Sequence, residues 1–143
     1  MTIKYQDCAI AFETAHKSIE KLGFQLVWAD APPPPSRFWG YSEHFESAEF
    51  DLHIVYDVRE HRVQVSLRQK SFGEHKDLPQ LWLVMGLGAY QAVKTSCTSA
   101  KMLPKILAMQ LEQLKVVIAK IKAMSEQERR ELALAAHPWG SID

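Results

Sequence analysis

Between Ala48 and Phe72 the chain reads AEFDLHIVYDVREHRVQVSLRQKSF, with apolar and polar residues on alternate positions. A period of two is what the pleat of a half-buried strand imposes. Phe50, Leu52, Ile54, Tyr56 and Val58 share one parity, and Glu49, Asp51, His53 and Asp57 share the other. After Arg59–Arg62 the alternation resumes, with Val63, Val65 and Leu67 set against Gln64, Ser66, Arg68 and Lys70. A loop over those four residues predicts Val58 opposite Val63, Tyr56 opposite Val65, Ile54 opposite Leu67, His53 opposite Arg68 and Asp51 opposite Lys70. That register keeps every apolar residue except Val55 on one face, whereas a loop one residue shorter would turn a strand over and bury its charges.

The flanking segments extend this pattern. Cys8, Phe12, Ala15, Ile19 and Leu22 recur at helical spacing and predict an N-terminal helix, ended by Gly23 in the left-handed conformation. Phe24, Leu26 and Trp28 alternate in a first strand, expected to turn its apolar side towards that helix. Pro32–Pro35 cannot donate to a ladder and reads as a stiff surface spacer. Arg37 to Phe45 gives a second strand. A tight turn at Glu46-Ser47 sets Trp39 opposite Ile54 and Tyr41 opposite Leu52, with Glu43 as the one misfit on the apolar face. The remainder reads as helix. Asp77 caps a nearly all-apolar body, LWLVMGLGAYQAV. Ser99 or Thr98 caps a helix with Pro104 near its start and Leu103, Leu107, Leu111, Leu114, Ile118 and Ile121 along one stripe. Ser125 and Glu128 form a capping box for a last helix, ended by Pro138. The expected fold is therefore α+β: a two-layer sandwich in which an N-terminal helix and three C-terminal helices cover one face of a four-stranded antiparallel meander.

With 143 residues, 47% of them hydrophobic, the chain supports one domain over 1–143. Equal numbers of acidic and basic residues leave no net charge, which argues against a dedicated nucleic-acid binder. The N-terminal residues lack the pattern of a secretory signal, and the most apolar stretch is too short to span a membrane, so a cytoplasmic protein is expected. Cys8 and Cys97 stand far apart in unlike contexts and read as reduced thiols. Cys97 in TSCTS reads as inert, and His16, His61 and His75 as solvent residues.

The polar side of the proposed sheet collects Ser42, His44, Glu49, Asp51, His53, Arg68 and Lys70. A serine, two histidines and two acids suggest a hydrolase, and His44, His53 and Asp51 suggest a metal site. Mixed charge is also the ordinary dress of a solvated sheet face, and no strained elbow or oxyanion donor accompanies the serine. These residues are therefore assigned to partner binding, with no catalytic residue, no metal and no cofactor.

The Leu22-Gly23-Phe24 step, the strand F-x-L-x-I-x-Y-D-x-R over Phe50 to Arg59 and its partner V-x-V-x-L over Val63 to Leu67, framed by helices, resemble the immunity proteins of polymorphic and contact-dependent bacterial toxin systems. The resemblance implies a non-enzymatic inhibitor, a monomer or weak homodimer, that binds a cognate toxin or effector domain. It carries over no shared catalytic residue. Two other readings stand beside it: a secretion or toxin chaperone dimerising on Met102–Met124, and a small hydrolase or metal enzyme using the polar face.

Overall fold

The alternating stretch folds as a hairpin at the centre of an antiparallel sheet. The computed structural model describes residues 3–34, 37–72, 82–83 and 96–135. In chain order these form α1 (Tyr5–Lys21), β1 (Gln25–Ala29), β2 (Gly40–Glu46), β3 (Phe50–Asp57), β4 (Arg62–Gln69), a 3-10 turn (Lys70–Phe72), β5 (Trp82–Leu83), α2 (Leu103–Lys122) and α3 (Glu126–Ala135). The strands lie in the order β1-β2-β3-β4-β5, every neighbouring pair antiparallel. The class is α+β, as the hydrophobic pattern predicts.

One face of the sheet makes the core. Tyr41 and Phe45 of β2, Leu52, Ile54 and Tyr56 of β3, and Val63, Val65 and Leu67 of β4 are all buried. Against them α1 sets Cys8, Ala11, Phe12 and Ile19, and α2 sets Leu103, Leu107, Leu114, Val117 and Ile121. Helix α1 starts where Asp7 Oδ2 accepts from the Lys4 N–H at 2.8 Å, and it ends before Gly23, whose φ of +92° suits glycine. Helix α2 carries Pro104 in its first turn, where the absent N–H leaves no bond unmade. Its buried Gln110 donates to the Val63 carbonyl at 2.8 Å, tying the helix to β4.

Several local expectations are revised. The loop between β3 and β4 has the expected length but sits one residue earlier: Asp57 pairs with Arg62, Tyr56 with Val63, Leu52 with Leu67 and Asp51 with Arg68. The Asp57 carboxyl accepts from the Arg59 and Glu60 N–H groups, and His61 takes a φ of 51°. This side-chain turn fixes the loop at Val58–His61. The slide moves each partner by two positions, so every residue keeps its face. Between β2 and β3, Tyr41 lies opposite Tyr56 and not Leu52. The turn there is wider than expected, because Ser47 and Phe50 bond each other through Ser47 N–H to the Phe50 carbonyl and Phe50 N–H to Ser47 Oγ.

Beyond the hairpin, Trp82 and Leu83, expected in a helix, are extended and pair with Leu67 and Ser66. There they satisfy backbone groups on the far side of β4 and add a fifth, two-residue strand to the meander. The rest of that expected helix, with Asp77, lies outside the described residues, as do His75 and Pro138. The N-cap of α2 is Met102, not Ser99 or Thr98, with no side-chain cap. The Ser125–Glu128 capping box of α3 forms as expected, with Ser125 N–H to Glu128 Oε1 at 2.9 Å and Glu128 N–H to Ser125 Oγ at 3.2 Å.

Candidate functional site

The outer face of the sheet takes its character from a bulge in β1. Leu26 pairs with Phe45 but Trp28 pairs with His44, so Val27 is an extra residue without a counterpart on β2. One inserted residue reverses the parity of every later position in the strand. Trp28, expected to face α1, therefore turns to the outer side and meets the edge of the His44 ring, with centroids 6.5 Å apart. Leu26, Val27 and Trp28 are all exposed.

Trp28, His44, His53 and Ser66 occupy one row across β1 to β4, each directly opposite the next. His44 and His53 lie with ring centroids 4.4 Å apart and planes tilted by 37°. Beside them Asp51 is opposite Arg68, whose Nη2 and Nε donate to Asp51 Oδ2 at 2.7 and 3.2 Å. His44 Nε2 lies 3.3 Å from Asp51 Oδ1. Asp51 is only 6% exposed, so its charge is held among partners and not in water. Burial alone would raise its pKa, but the Arg68 and His44 hydrogen bonds outweigh burial and hold it below the usual carboxylate range. For His53 burial acts first, joined by the positive potential of His44 and Arg68, and the imidazole pKa falls below its ordinary value. At neutral pH that ring is uncharged.

The expected site residues thus divide. His44, Asp51, His53 and Arg68 come together. Ser42 shares their face, but both its hydroxyl and its N–H donate to Asp30 Oδ2, at 3.0 and 2.9 Å. A serine directed to Asp30 and a histidine directed to Asp51 do not assemble the serine-histidine-acid relay that these residue types suggest. Glu49 is drawn to the helical side, where Arg129 of α3 donates to it at 3.1 Å and to Gln69 at 2.9 Å. Lys70, expected opposite Asp51, lies past the end of β4 and pairs with Glu46 at 3.2 Å. Among the described residues, no group of three or more His, Cys, Asp or Glu side chains is disposed to hold a metal ion.

Three residues of this face escape a reading of the sequence alone. Trp28 arrives through the bulge. Asp30 acts through Ser42, across a connector whose path the sequence does not reveal. Trp39, expected inside the second strand, precedes β2 and is 68% exposed, beside a shallow depression of about 300 Å³ that Asp30, Ser42 and Val55 also line.

A second polar group lies on the inner face. Glu43, the misfit of the apolar pattern, is 2% exposed. Its Oε2 accepts from the Tyr41 hydroxyl at 2.6 Å, and its Oε1 lies 2.7 Å from His16 Nε2. His16 is thus a partner of a buried acid and not a solvent residue. Burial, then the bond to Glu43, raises the Tyr41 hydroxyl pKa well above its ordinary value. Cys8 and Cys97 are both buried and not joined in a disulfide, and burial pushes the Cys8 thiol up to about 12, with Asp7 and Cys97 adding to it. The two sulfurs therefore share one neighbourhood, despite their separation in sequence.

No family model matches this chain, and neither a curated protein nor a solved structure matches it. No helix among the described residues is long and apolar enough to cross a membrane.

Proposed function

We propose that this chain is a non-enzymatic, protein-binding inhibitor, an immunity protein that binds and neutralises a cognate bacterial toxin through the outer face of its sheet. The observation that carries the reading is the composition of that face: Trp28, His44 and His53 in one cross-strand row beside the Arg68–Asp51 pair. Tryptophan and arginine anchors set among polar neighbours are the usual makings of an interface centre. The exposed Leu26 and Val27 extend it at the β1 edge.

On this reading the helices share the inner side of a two-layer sandwich, and the outer side is kept for the partner. The protein acts in the cytoplasm as a monomer. Most acids and cations of the face are already paired with one another, so the partner is recognised by shape and hydrogen bonding more than by net charge. The chaperone alternative draws no support from α2, whose apolar stripe is used in the chain's own core.

Co-expression tests the proposal. The neighbouring reading frame is expressed in a bacterial host with and without this chain, and growth is followed. Toxicity relieved by the wild type but not by Trp28→Ala or Arg68→Glu supports the proposal. A neighbour that is harmless alone, or protection that survives both substitutions, overturns it.

A further inference from the structure

Histidines placed directly opposite each other on neighbouring antiparallel strands project to the same side at cross-strand contact distance. His44 and His53 do so, half-buried, with ring centres 4.4 Å apart. We propose that these two side chains together bind a divalent late first-row transition ion, copper, nickel or zinc, through one imidazole nitrogen each, with water in the remaining positions.

The separation fits the chemistry. Two imidazoles on one ion at metal–nitrogen distances of about 2.0–2.1 Å have ring centres about 4.5 Å apart at the right angle of tetragonal copper or nickel, and about 5 Å apart at the tetrahedral angle of zinc. The 37° tilt departs from a flat stack, and rotation of the His53 ring about its broad χ2 torsion turns its lone pair towards His44, whose ring is held by Asp51. Imidazole nitrogen is the donor that these ions share as a preference.

The surroundings prepare the rings. A carboxylate can only accept, so in the neutral imidazole Asp51 Oδ1, 3.3 Å from His44 Nε2, selects the tautomer that carries its proton on that nitrogen and has its lone pair on Nδ1. This is the outer-sphere carboxylate arrangement that orients metal-binding histidines. Asp51 itself stays outside the coordination sphere, since Oδ2 is held by both Arg68 donors. The Arg68 charge is offset by Asp51, so an incoming cation meets a nearly neutral pair. Trp28 from β1 and Ser66 from β4 flank the rings without adding charge. With two protein ligands the site remains open, and it links β2 to β3 when filled. It stands independently of any protein partner.

The test titrates the full chain with nickel chloride and, separately, zinc chloride at neutral pH. Thermal unfolding and histidine NMR resonances are followed together. The expected result is a rise in Tm that EDTA reverses, with His44 and His53 perturbed ahead of His16, His61, His75 and His137. His53→Gln, which leaves the His44–Asp51 contact in place, should weaken binding by at least about tenfold while circular dichroism shows the fold intact. No Tm change at millimolar metal, first perturbation at other histidines, or undiminished binding by His53→Gln would each overturn the proposal.

Discussion

Glu43 and His16 meet at 2.7 Å between Oε1 and Nε2, joining the middle of β2 to the middle of α1 inside their packing. Tyr41 supplies the second donor from the same strand. Removing a buried acceptor leaves its donors without partners, which costs about 1–3 kcal/mol. Glu43→Ala should destabilise the fold by that amount in urea denaturation. Glu43→Gln retains a carbonyl oxygen and nearly the same volume, and should cost less.

Acid should weaken the protein in two stages. The His53 pKa is lowered in the fold, so below its ordinary value of 6.5 the unfolded chain takes up a proton that the folded chain declines. Stability therefore falls as pH drops below 6.5 and levels off once the folded-state value is passed. Asp51 contributes stability that is intact above its unfolded value of 3.8 and is lost as pH falls through its depressed folded value. Urea midpoints from about pH 3 to 8 should show both limbs. His53→Gln should flatten the upper limb and Asp51→Asn the lower.

Gly40 begins β2 against the backbone of Tyr56. A Cβ there would lie 2.5 Å from the Tyr56 carbonyl oxygen, a group fixed in the ladder. Gly40→Ala should cost about 1–3 kcal/mol, the range for overpacking. Gly23→Ala meets no atom within 4 Å and carries only the left-handed penalty, about 1–2 kcal/mol. Differential scanning calorimetry of the two variants separates steric from conformational strain: relief of the Gly40→Ala defect should require movement of β3, visible as exchange-broadened amides around Tyr56.

The Gln110 amide donates to the Val63 carbonyl within the core. Gln110→Leu keeps the bulk but removes that donor, and should cost about 1–3 kcal/mol in chemical denaturation. Faster amide hydrogen exchange in β4 than in β2 would place the loss where α2 meets the sheet.

The two faces of β3 and β4 were legible because strand parity survives a slide of two positions. Tyr56 is buried whether it faces Val65 or Val63. The exact partners were not legible, because Asp57 and Ser47 set the turns through bonds from side chain to backbone, and alternation does not encode these. Trp28 escapes the alternation for the opposite reason: a single extra residue at Val27 reverses parity, and nothing in FQLVW marks it. Trp82 and Leu83 show a third limit, since a short apolar run suits a buried helix or a covering strand equally well. Within the candidate site, His44, Asp51, His53 and Arg68 followed from parity alone. Glu49 and Lys70 departed because each lies at a strand end, where the chain bends away to Arg129 and to Glu46.

The inserted residue at Val27 also bears on how copies of this molecule treat one another. A straight β1 would offer a row of free backbone donors and acceptors bordered by Leu26, Val27 and Trp28, a ready template for edge-to-edge fibre growth. The bulge twists that row out of step with any strand that would copy it. Pro32, Pro33 and Pro34 come within a few residues and have no N–H with which to prolong it. The irregularity that turns Trp28 outward thus also makes the β1 edge a poor template for a second copy of the same strand.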